Sequence, residues 1–302
     1  MTAEDLPALE QYLRNRKSIV EEALNRCLPG EDNCPESIFK AARYSTFAGG
    51  KRIRSILCLA AAEAVGGSIE DVLPFACALE LIHTYSLIHD DLPAMDDDDF
   101  RRGKPTNHKV FGEAMAVLAG DVLLTEAFYL MTKKEQVRKI SAETCLEVIH
   151  DIAKAVGWFG MIGGQVADIQ SEGKKINPDT LDFIHTRKTG ALILASVRSG
   201  AVLGGADHKA CDCLCEYGKK VGLAFQIADD ILDIEGSCEL MGKNPGADQS
   251  LKKATYPAIM GLEYSKEQGG RLIEEAISAI SAFDHRAEPL RQIARYIFFR
   301  KI

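Results

Sequence analysis

Features that would place this chain in a membrane or outside the cell are missing from its sequence. No uninterrupted run of apolar residues approaches the ~18 needed to cross a bilayer. The first residues, Met1-Thr2-Ala3-Glu4-Asp5, are acidic and lack the basic-then-apolar pattern of a secretory signal or transit peptide. We therefore expect a cytoplasmic location and no stable membrane association.

Signals for disulfides, cysteine-bound metal and nucleic acid are also lacking. The nine cysteines are an odd number, and neither a CxxC nor a paired-histidine spacing occurs. Cys211, Cys213 and Cys215 form the densest group, but alternate residues do not share one face of a helix. We interpret them as reduced thiols without a special role. The net charge of −8 gives no general attraction for nucleic acid.

Neither a shift in composition nor a Gly/Ser-rich linker divides the 302 residues, so we predict one domain spanning 1–302. Alternating strand patterns are absent, and helical periodicity extends through most of the chain. At a typical length of ~11–12 residues, this predicts an all-α protein of roughly ten or more helices. The clearest predicted helices cover 69–91, 110–131, 137–157, 178–203 and 208–235.

Some of these helices are apolar on more than one face. The segment from Val72 to Ile88 has almost no polar stripe, which is typical of a helix surrounded by others or covered by a partner subunit. We predict a single large bundle around a central apolar cavity, and a homodimer. Asn177 followed by Pro178 is a plausible helix start.

An acidic motif lies near the end of one apolar helix. Asp229, Asp230 and Asp233 are spaced by three or four residues, so their carboxylates crowd one edge of the helix and repel one another. A divalent cation removes this repulsion, and Mg²⁺ suits sparse carboxylate ligation completed by water and phosphate. We predict a magnesium site here.

A similar acidic pair, Asp90 and Asp91, ends another apolar helix and is followed by Asp96 to Asp99. Pro93 should disrupt the helix and fold Asp96 back towards Asp90. A solvated loop is the alternative for a single Asp run, and Phe100 excludes an EF-hand because Asp or Asn is required at that position. Carboxylates seldom end apolar helices without a function, so two such motifs favour a second metal site.

Basic residues accompany both acidic motifs. Gly49 and Gly50 precede a helix start at which Lys51 and Arg54 share a face, and a helix N-terminus favours anions. Arg101 and Arg102 directly follow the Asp run; they either pair with it or present guanidinium groups to a diphosphate. Together, metal sites and cations at the mouth of an apolar cavity indicate a diphosphate ligand with an apolar tail.

These motifs resemble those of the trans-prenyl diphosphate synthase (polyprenyl synthase) family, and most closely its bacterial short-chain farnesyl type. The resemblance extends from about Phe39 to the C-terminus and includes Lys188-Thr189 and the Phe-Gln-x-x-Asp-Asp-x-x-Asp stretch at 225–233. It implies the isoprenoid synthase fold, several Mg²⁺ ions, and isopentenyl and allylic diphosphates as substrates. It also implies a reaction in which diphosphate leaves, the isopentenyl double bond attacks the allylic cation, and a proton is lost.

The resemblance implies roles for individual residues. The implied metal ligands are Asp90, Asp91, Asp96, Asp229, Asp230 and Asp233. The implied contacts to the allylic diphosphate are Arg101, Lys188 and Lys243. The implied contacts to isopentenyl diphosphate are Lys51, Arg54, His83 and Arg102. Thr189 and Gln226 are implied to lie beside the reacting carbons, which gives a catalytic set of Lys188, Thr189, Gln226, Asp90 and Asp229.

The resemblance also implies that product length depends on the depth of the apolar pocket. Tyr85 lies five residues before Asp90, about 7.5 Å along a helix axis, where an aromatic implies a floor that stops growth at C15, farnesyl diphosphate. Ser86 is small and leaves Tyr85 as the only candidate floor on this helix. Geranyl or geranylgeranyl diphosphate is the alternative product. A non-catalytic subunit of a heteromeric synthase is the alternative of another class, and residues 300–302 are a candidate lid.

Overall fold

A computed structural model describes residues 5–135, 137, 139–235 and 255–299. Over these residues the chain is almost entirely α-helical, which confirms the predicted fold class and the prediction of ten or more helices. The helices, numbered in chain order, are α1 (Asp5–Cys27), α2 (Glu36–Thr46), α3 (Ile53–Ala64), α4 (Ile69–Asp90), α5 (Asn107–Phe111), α6 (Glu113–Thr132), α7 (Ala142–Val156), α8 (Met161–Ser171), α9 (Pro178–Ile184), α10 (Ala191–Leu203), α11 (His208–Glu235), α12 (Tyr256–Met260), α13 (Leu262–Ala279) and α14 (Glu288–Phe299).

Short non-α elements interrupt this series. A π-helical segment, His185–Gly190, joins α9 to α10, and a 3₁₀ turn, His285–Ala287, precedes α14. The strands β1 (Phe100–Arg101) and β2 (Lys104–Pro105) form an antiparallel hairpin after α4. Asn177 caps α9 as predicted, because its side-chain oxygen accepts a hydrogen bond from the backbone N–H of Thr180 at 2.8 Å.

Helix α4 runs between α3 and α6 and is buried on more than one side. Phe75, Leu79 and Ile82 have no exposed surface, as predicted for a helix without a polar stripe. Helix α3 belongs to two apolar clusters, one shared with α4 and α6 and the other with α11, α13 and α14. The N-terminus of α3, which follows the Gly49-Gly50 turn, therefore lies where the two halves of the bundle meet.

Two helices reach the length and hydropathy of a membrane span, although neither is an uninterrupted apolar run. Ile69–Asp90 has a mean hydropathy of 1.3 and its apolar window is 72% buried, which is typical of a core helix. Glu113–Thr132 has a mean hydropathy of 1.6 but its window is only 39% buried. Helix α6 therefore presents an apolar face, which includes Val117, Leu118 and Val122, on the surface of this chain.

Candidate active site

The first acidic motif forms a loop that turns back onto the end of α4. The backbone N–H of Asp96 donates to the carbonyl of Asp90 at 2.9 Å, and the N–H of Asp97 donates to the carbonyl of Leu92 at 3.1 Å. Asp97 has a φ of 50°, the left-handed conformation that Asp tolerates better than most residues. The loop thus brings Asp96 beside Asp90, as predicted from Pro93.

Asp91 and Arg101 pair with each other. Arg101 Nε donates to Asp91 Oδ1 at 2.5 Å, and Arg101 Nη2 lies 3.1 Å from Asp98 Oδ2. Asp91 is only 4% exposed, and burial raises its pKa to about 7 although the charge of Arg101 opposes the shift. The pairing between acid and base that the sequence left open is therefore present, and Asp91 acts as the anchor of the Arg101 guanidinium. Their implied contacts to metal and diphosphate stay predictions.

Arg102 connects the β1–β2 hairpin to the Gly49-Gly50 turn. It adopts a left-handed conformation with φ 54°, and its Nη1 donates to the carbonyl of Gly49. A Cβ at Gly50 would lie 2.7 Å from Arg102 Cζ, and Gly50 has a φ of +121°. Only glycine meets both conditions at position 50. The geometry places Arg102 directly beside the turn that carries Lys51.

The N-terminus of α3 is held by a buried ion pair that the sequence analysis missed. Arg52, with φ 55°, donates through Nη2 to the carbonyl of Thr46 at 2.6 Å, and its Nη1 lies 3.5 Å from Glu80 Oε2. Glu80 Oε1 accepts from both the backbone N–H and the hydroxyl of Ser55, at 3.2 and 3.0 Å. The Glu80 carboxylate of α4 thus accepts a hydrogen bond from a backbone N–H in the first turn of α3 that has no partner within its own helix. Its sequence signal was a single glutamate inside an apolar helix.

We expect Glu80→Gln to lower the free energy of unfolding by about 3 kcal/mol, because the buried Arg52 guanidinium loses its charged partner. The loss is limited because Glu21, 3.4 Å from Arg52, still balances part of the positive charge. Denaturant unfolding followed by circular dichroism measures this change. Glu36→Gln, which removes an ion pair to Lys40 on the surface, is the control and should change little. Equal unfolding curves for the two variants would contradict the role of Glu80.

Positive charge is concentrated around His83. Burial, and then the charges of Arg54, Arg102, Arg101 and Arg52, hold the pKa of His83 well below its ordinary value, so the imidazole is neutral. Burial also lowers the pKa of Arg54, whereas the charges of Glu80 and Asp229 raise it by a smaller amount.

Arg54 also provides the link between the two halves of the site. Its Nε is buried and has no hydrogen-bond partner among the described residues. An anion would satisfy this donor. The charge of Asp229 acts on the pKa of Arg54, so the second acidic motif lies within electrostatic range of the basic cluster.

The three aspartates of the second motif differ in their surroundings. Asp230 Oδ1 accepts from Gln226 Nε2 at 2.9 Å, and its Oδ2 accepts from the backbone N–H of Tyr256 at 2.8 Å. Asp230 and Asp233 are each only 3% exposed, whereas Asp229 is half-buried. Both Asp230 oxygens thus face protein donors, which leaves Asp229 as the best placed of the three to meet a metal ion.

Thr189 and Gln226 contact each other, and their implied position beside the reacting carbons stays a prediction. Thr189 Oγ1 donates to Gln226 Oε1 at 2.9 Å, and Asp230 orients the other end of the same amide. Thr189 lies in the π-helical segment, a distortion that is frequent at functional sites. The sequence predicted only a weakened helix at Gly190.

Helix α8 supplies further residues that the sequence analysis did not single out. Asp168 Oδ2 accepts from Lys188 Nζ at 2.6 Å. Both amide atoms of Gln165 are buried without a hydrogen-bond partner in the described part of the chain. A Cβ at Gly164 would lie 2.2 Å from the backbone nitrogen of Lys188, so this glycine allows α8 to approach the π segment. The run Gly163-Gly164-Gln165 was the available signal.

Tyr85 lies one turn of α4 before the first acidic motif. It is 5% exposed, its ring contacts His89 edge-on at 5.7 Å between centroids, and burial raises its pKa to about 12. Its buried hydroxyl has no partner among the described residues. His89 in turn fills the space above Gly120 of α6. Ser86 donates to the carbonyl of His83, so its hydroxyl stays on its own helix.

The acidic residues fit a magnesium site of one particular kind. Within residues 5–135, 137, 139–235 and 255–299, no group of three or more potential ligands is close enough to hold a metal ion by itself. The fit rests on the donor type, because carboxylate oxygens are ligands that Mg²⁺ takes while water and phosphate oxygens complete its octahedron. The predicted contact by Lys243 and the predicted lid at 300–302 lie outside the described residues.

Comparison with known proteins agrees with this geometry. The polyprenyl synthetase family matches residues 35–294. The farnesyl diphosphate synthase of Geobacillus stearothermophilus is 52% identical over 269 residues, covering 89% of this chain and 90% of that protein. The geranylgeranyl diphosphate synthase of Cyanophora paradoxa is 50% identical over 290 residues, covering 96% of this chain and 95% of that protein. The crystal structure of an FPP/GFPP synthase from Zymomonas mobilis has a TM-score of 0.86 at 35% identity. The match covers 96% of this chain and 99% of that protein.

Proposed function

This chain belongs to the polyprenyl synthetase family, and from that premise we propose that it makes farnesyl diphosphate. The chain is a trans-prenyltransferase, and its family uses isopentenyl and allylic diphosphates. In the proposed reaction, isopentenyl diphosphate condenses head to tail with dimethylallyl and then geranyl diphosphate, with Mg²⁺ as cofactor and diphosphate as the second product.

The buried Tyr85 ring is the observation that carries the choice of product. An allylic diphosphate held at Asp90 and Asp96 extends its tail along α4, towards Tyr85 and His89. The His89 imidazole occupies the space against Gly120 of α6, and the Tyr85 ring packs against that imidazole. Growth beyond C15 would require this filled volume, and packed interiors rarely yield it without cost.

The basic residues divide between the two diphosphates. Lys51, Arg54 and Arg102 hold isopentenyl diphosphate, since the buried Nε of Arg54 needs an acceptor and Arg102 is fixed on the adjacent turn. Neutral His83 provides a further ring N–H or acceptor there. Arg101, oriented by Asp91, and Lys188, oriented by Asp168, bind the allylic diphosphate.

Ionisation of the allylic diphosphate is the step that needs stabilisation of charge. When bound by Asp90, Asp96 and Asp229, magnesium supplies positive charge to the departing diphosphate. Arg101 and Lys188 add fixed donors to the same group. The Thr189 hydroxyl and the Gln226 amide, ordered through Asp230, face the cationic carbons, and the apolar walls exclude water. The departing diphosphate takes the proton, so no side-chain base is required.

We propose a cytoplasmic homodimer that binds neither nucleic acid nor a membrane stably. The support for the dimer is the exposed apolar face of α6, to which Val117, Leu118, Val122 and Tyr129 contribute. A second copy of this chain would cover that face. Light scattering that gives the mass of a single chain for the purified protein would exclude this assembly.

Geranylgeranyl diphosphate is the second candidate product. The relative from Cyanophora paradoxa favours it, because a geranylgeranyl diphosphate synthase is about as similar to this chain as the Geobacillus farnesyl enzyme. A non-catalytic subunit is disfavoured because the aspartates and the basic residues of the site are all present in the chain.

A product assay tests the proposal. Purified protein is incubated with Mg²⁺, labelled isopentenyl diphosphate and, separately, dimethylallyl, geranyl or farnesyl diphosphate. Chromatography then gives the chain length. We expect a C15 product from the two shorter starters and no extension of farnesyl diphosphate. A C20 product would assign the chain as a geranylgeranyl synthase, and failure with every starter would favour the non-catalytic subunit.

A further inference from the structure

The Tyr85 ring packs against a second ring on α4, that of His89. The two residues are four apart, so they share a face of the helix, and their rings meet edge-on at 5.7 Å between centroids. Tyr85 is only 5% exposed, whereas the His89 side chain is 30% exposed. The imidazole therefore lies between the buried Tyr85 ring and the surface of the chain.

Helix α6 fixes the position of this imidazole. The Nε2 atom of His89 lies 3.0 Å from the carbonyl oxygen of Val117, and because a carbonyl only accepts, Nε2 carries the proton of that bond. A Cβ at Gly120 would lie 2.1 Å from Nε2 and 2.5 Å from Cδ2 of the same ring. The imidazole thus rests directly against the backbone of α6, and a side chain at position 120 would displace it.

Packing, and not a hydrogen bond, determines where the Tyr85 ring lies. The buried hydroxyl of Tyr85 has no hydrogen-bond partner in the part of the chain that the structure describes. When a neighbouring group is removed from a close-packed interior, the side chains around it relax partly into the space it leaves. Without the imidazole, the Tyr85 ring would therefore have free space on the side of α6.

We propose that His89 and Gly120 are positioning residues for product length: Gly120 leaves room for the His89 imidazole, and the imidazole holds the Tyr85 ring in place. This inference rests on the proposed role of Tyr85 as the floor at C15. In this arrangement His89 acts through Tyr85 and not by contact with the growing chain. Product length then depends on a residue of α6 as well as on residues of α4.

The product ratio of His89→Ala tests the inference, with geranyl diphosphate as starter and chromatography as the readout. We expect the ratio of C20 to C15 product to rise by ~5-fold or more, because a ring that is free to move obstructs the longer chain less. Added to Tyr85→Ala, the same change should raise the ratio less than about twofold, since the residue through which it acts is already gone. Disturbance of the adjacent Asp90 would lower the rate of every condensation without favouring C20.

Gly120→Ala tests the same arrangement from α6. Its Cβ should push the imidazole towards its exposed side, away from Tyr85, which raises the C20 to C15 ratio and lowers the melting temperature by ~3 °C or more. In a His89→Ala background the substitution should not lower the melting temperature, because the atoms that its Cβ would meet are gone. Gly270→Ala on α13 is the matched control, since the nearest atom to its Cβ is 3.9 Å away.

The outcomes separate this inference from the proposed product. An unchanged ratio in a folded His89→Ala, when Tyr85→Ala makes C20, would overturn the inference and leave the farnesyl product standing. An unaltered chain that makes C20 would instead overturn the proposed product and the floor with it. If His89→Ala does not fold, the product ratio of Gly120→Ala decides, and no change in that ratio would overturn the inference. Equal losses of melting temperature from Gly120→Ala with and without His89 would also overturn it.

Discussion

Asp229→Ala should lower the rate of condensation by ~10³-fold or more, equivalent to about 4 kcal/mol of transition-state stabilisation, while the helical fold remains. Asp229 is the only aspartate of the second motif that is not buried, and its charge raises the pKa of Arg54. In the proposed mechanism, the substitution removes a ligand for the metal that would neutralise the leaving diphosphate. Steady-state turnover with Mg²⁺ in excess measures the loss.

The neighbouring aspartate gives the matched control. Asp230→Asn disturbs the bonds to Gln226 and to the Tyr256 N–H, so it should lower stability together with rate. Asp229→Glu keeps a carboxylate and should recover part of the activity at raised Mg²⁺, whereas Asp230→Asn should show no such dependence. Turnover above a tenth of the unaltered rate in Asp229→Ala would remove the metal role from this residue.

Tyr85→Ala should convert the main product from C15 to C20. The substitution removes the buried ring that we propose as the floor, and farnesyl and geranylgeranyl chains differ by one five-carbon unit. We expect the ratio of C20 to C15 product to rise by ~10-fold or more, the equivalent of at least about 1.4 kcal/mol of steric cost removed. The ratio is read by chromatography with geranyl diphosphate as starter.

Two conservative variants separate the effect of the Tyr85 ring volume on product length from the effect of nearby hydroxyl groups. Tyr85→Phe keeps the ring and removes only the buried hydroxyl, which has no partner among the described residues, so the product should stay at C15. Ser86→Ala should also leave the product unchanged because the Ser86 hydroxyl bonds to its own helix. If Tyr85→Ala still stops at C15, the length is set by residues on another helix.

Periodicity and local chemistry predicted the elements but not all of their partners. The apolar segment from Val72 to Ile88 was correctly expected at the centre of the bundle, and Pro93 correctly indicated a fold-back of Asp96. Both predictions rest on neighbours in sequence. The Arg52–Glu80 pair and the Lys188–Asp168 contact depend on how distant helices approach, which no local pattern specifies. Arg101 was ambiguous in sequence for the same reason, since only the fold shows that Asp91 holds it.

The contact between Gly50 and Arg102 restricts how this enzyme can be altered by directed evolution. Gly50 is required twice, once because its φ of +121° suits only glycine and once because the Arg102 guanidinium occupies the space of a Cβ. Shortening Arg102 would remove only the second requirement. In a library that randomises the loop at 49–54, every active clone should therefore keep glycine at position 50. Attempts to change the ligand specificity that we propose for this part of the site have more freedom if they begin at position 102.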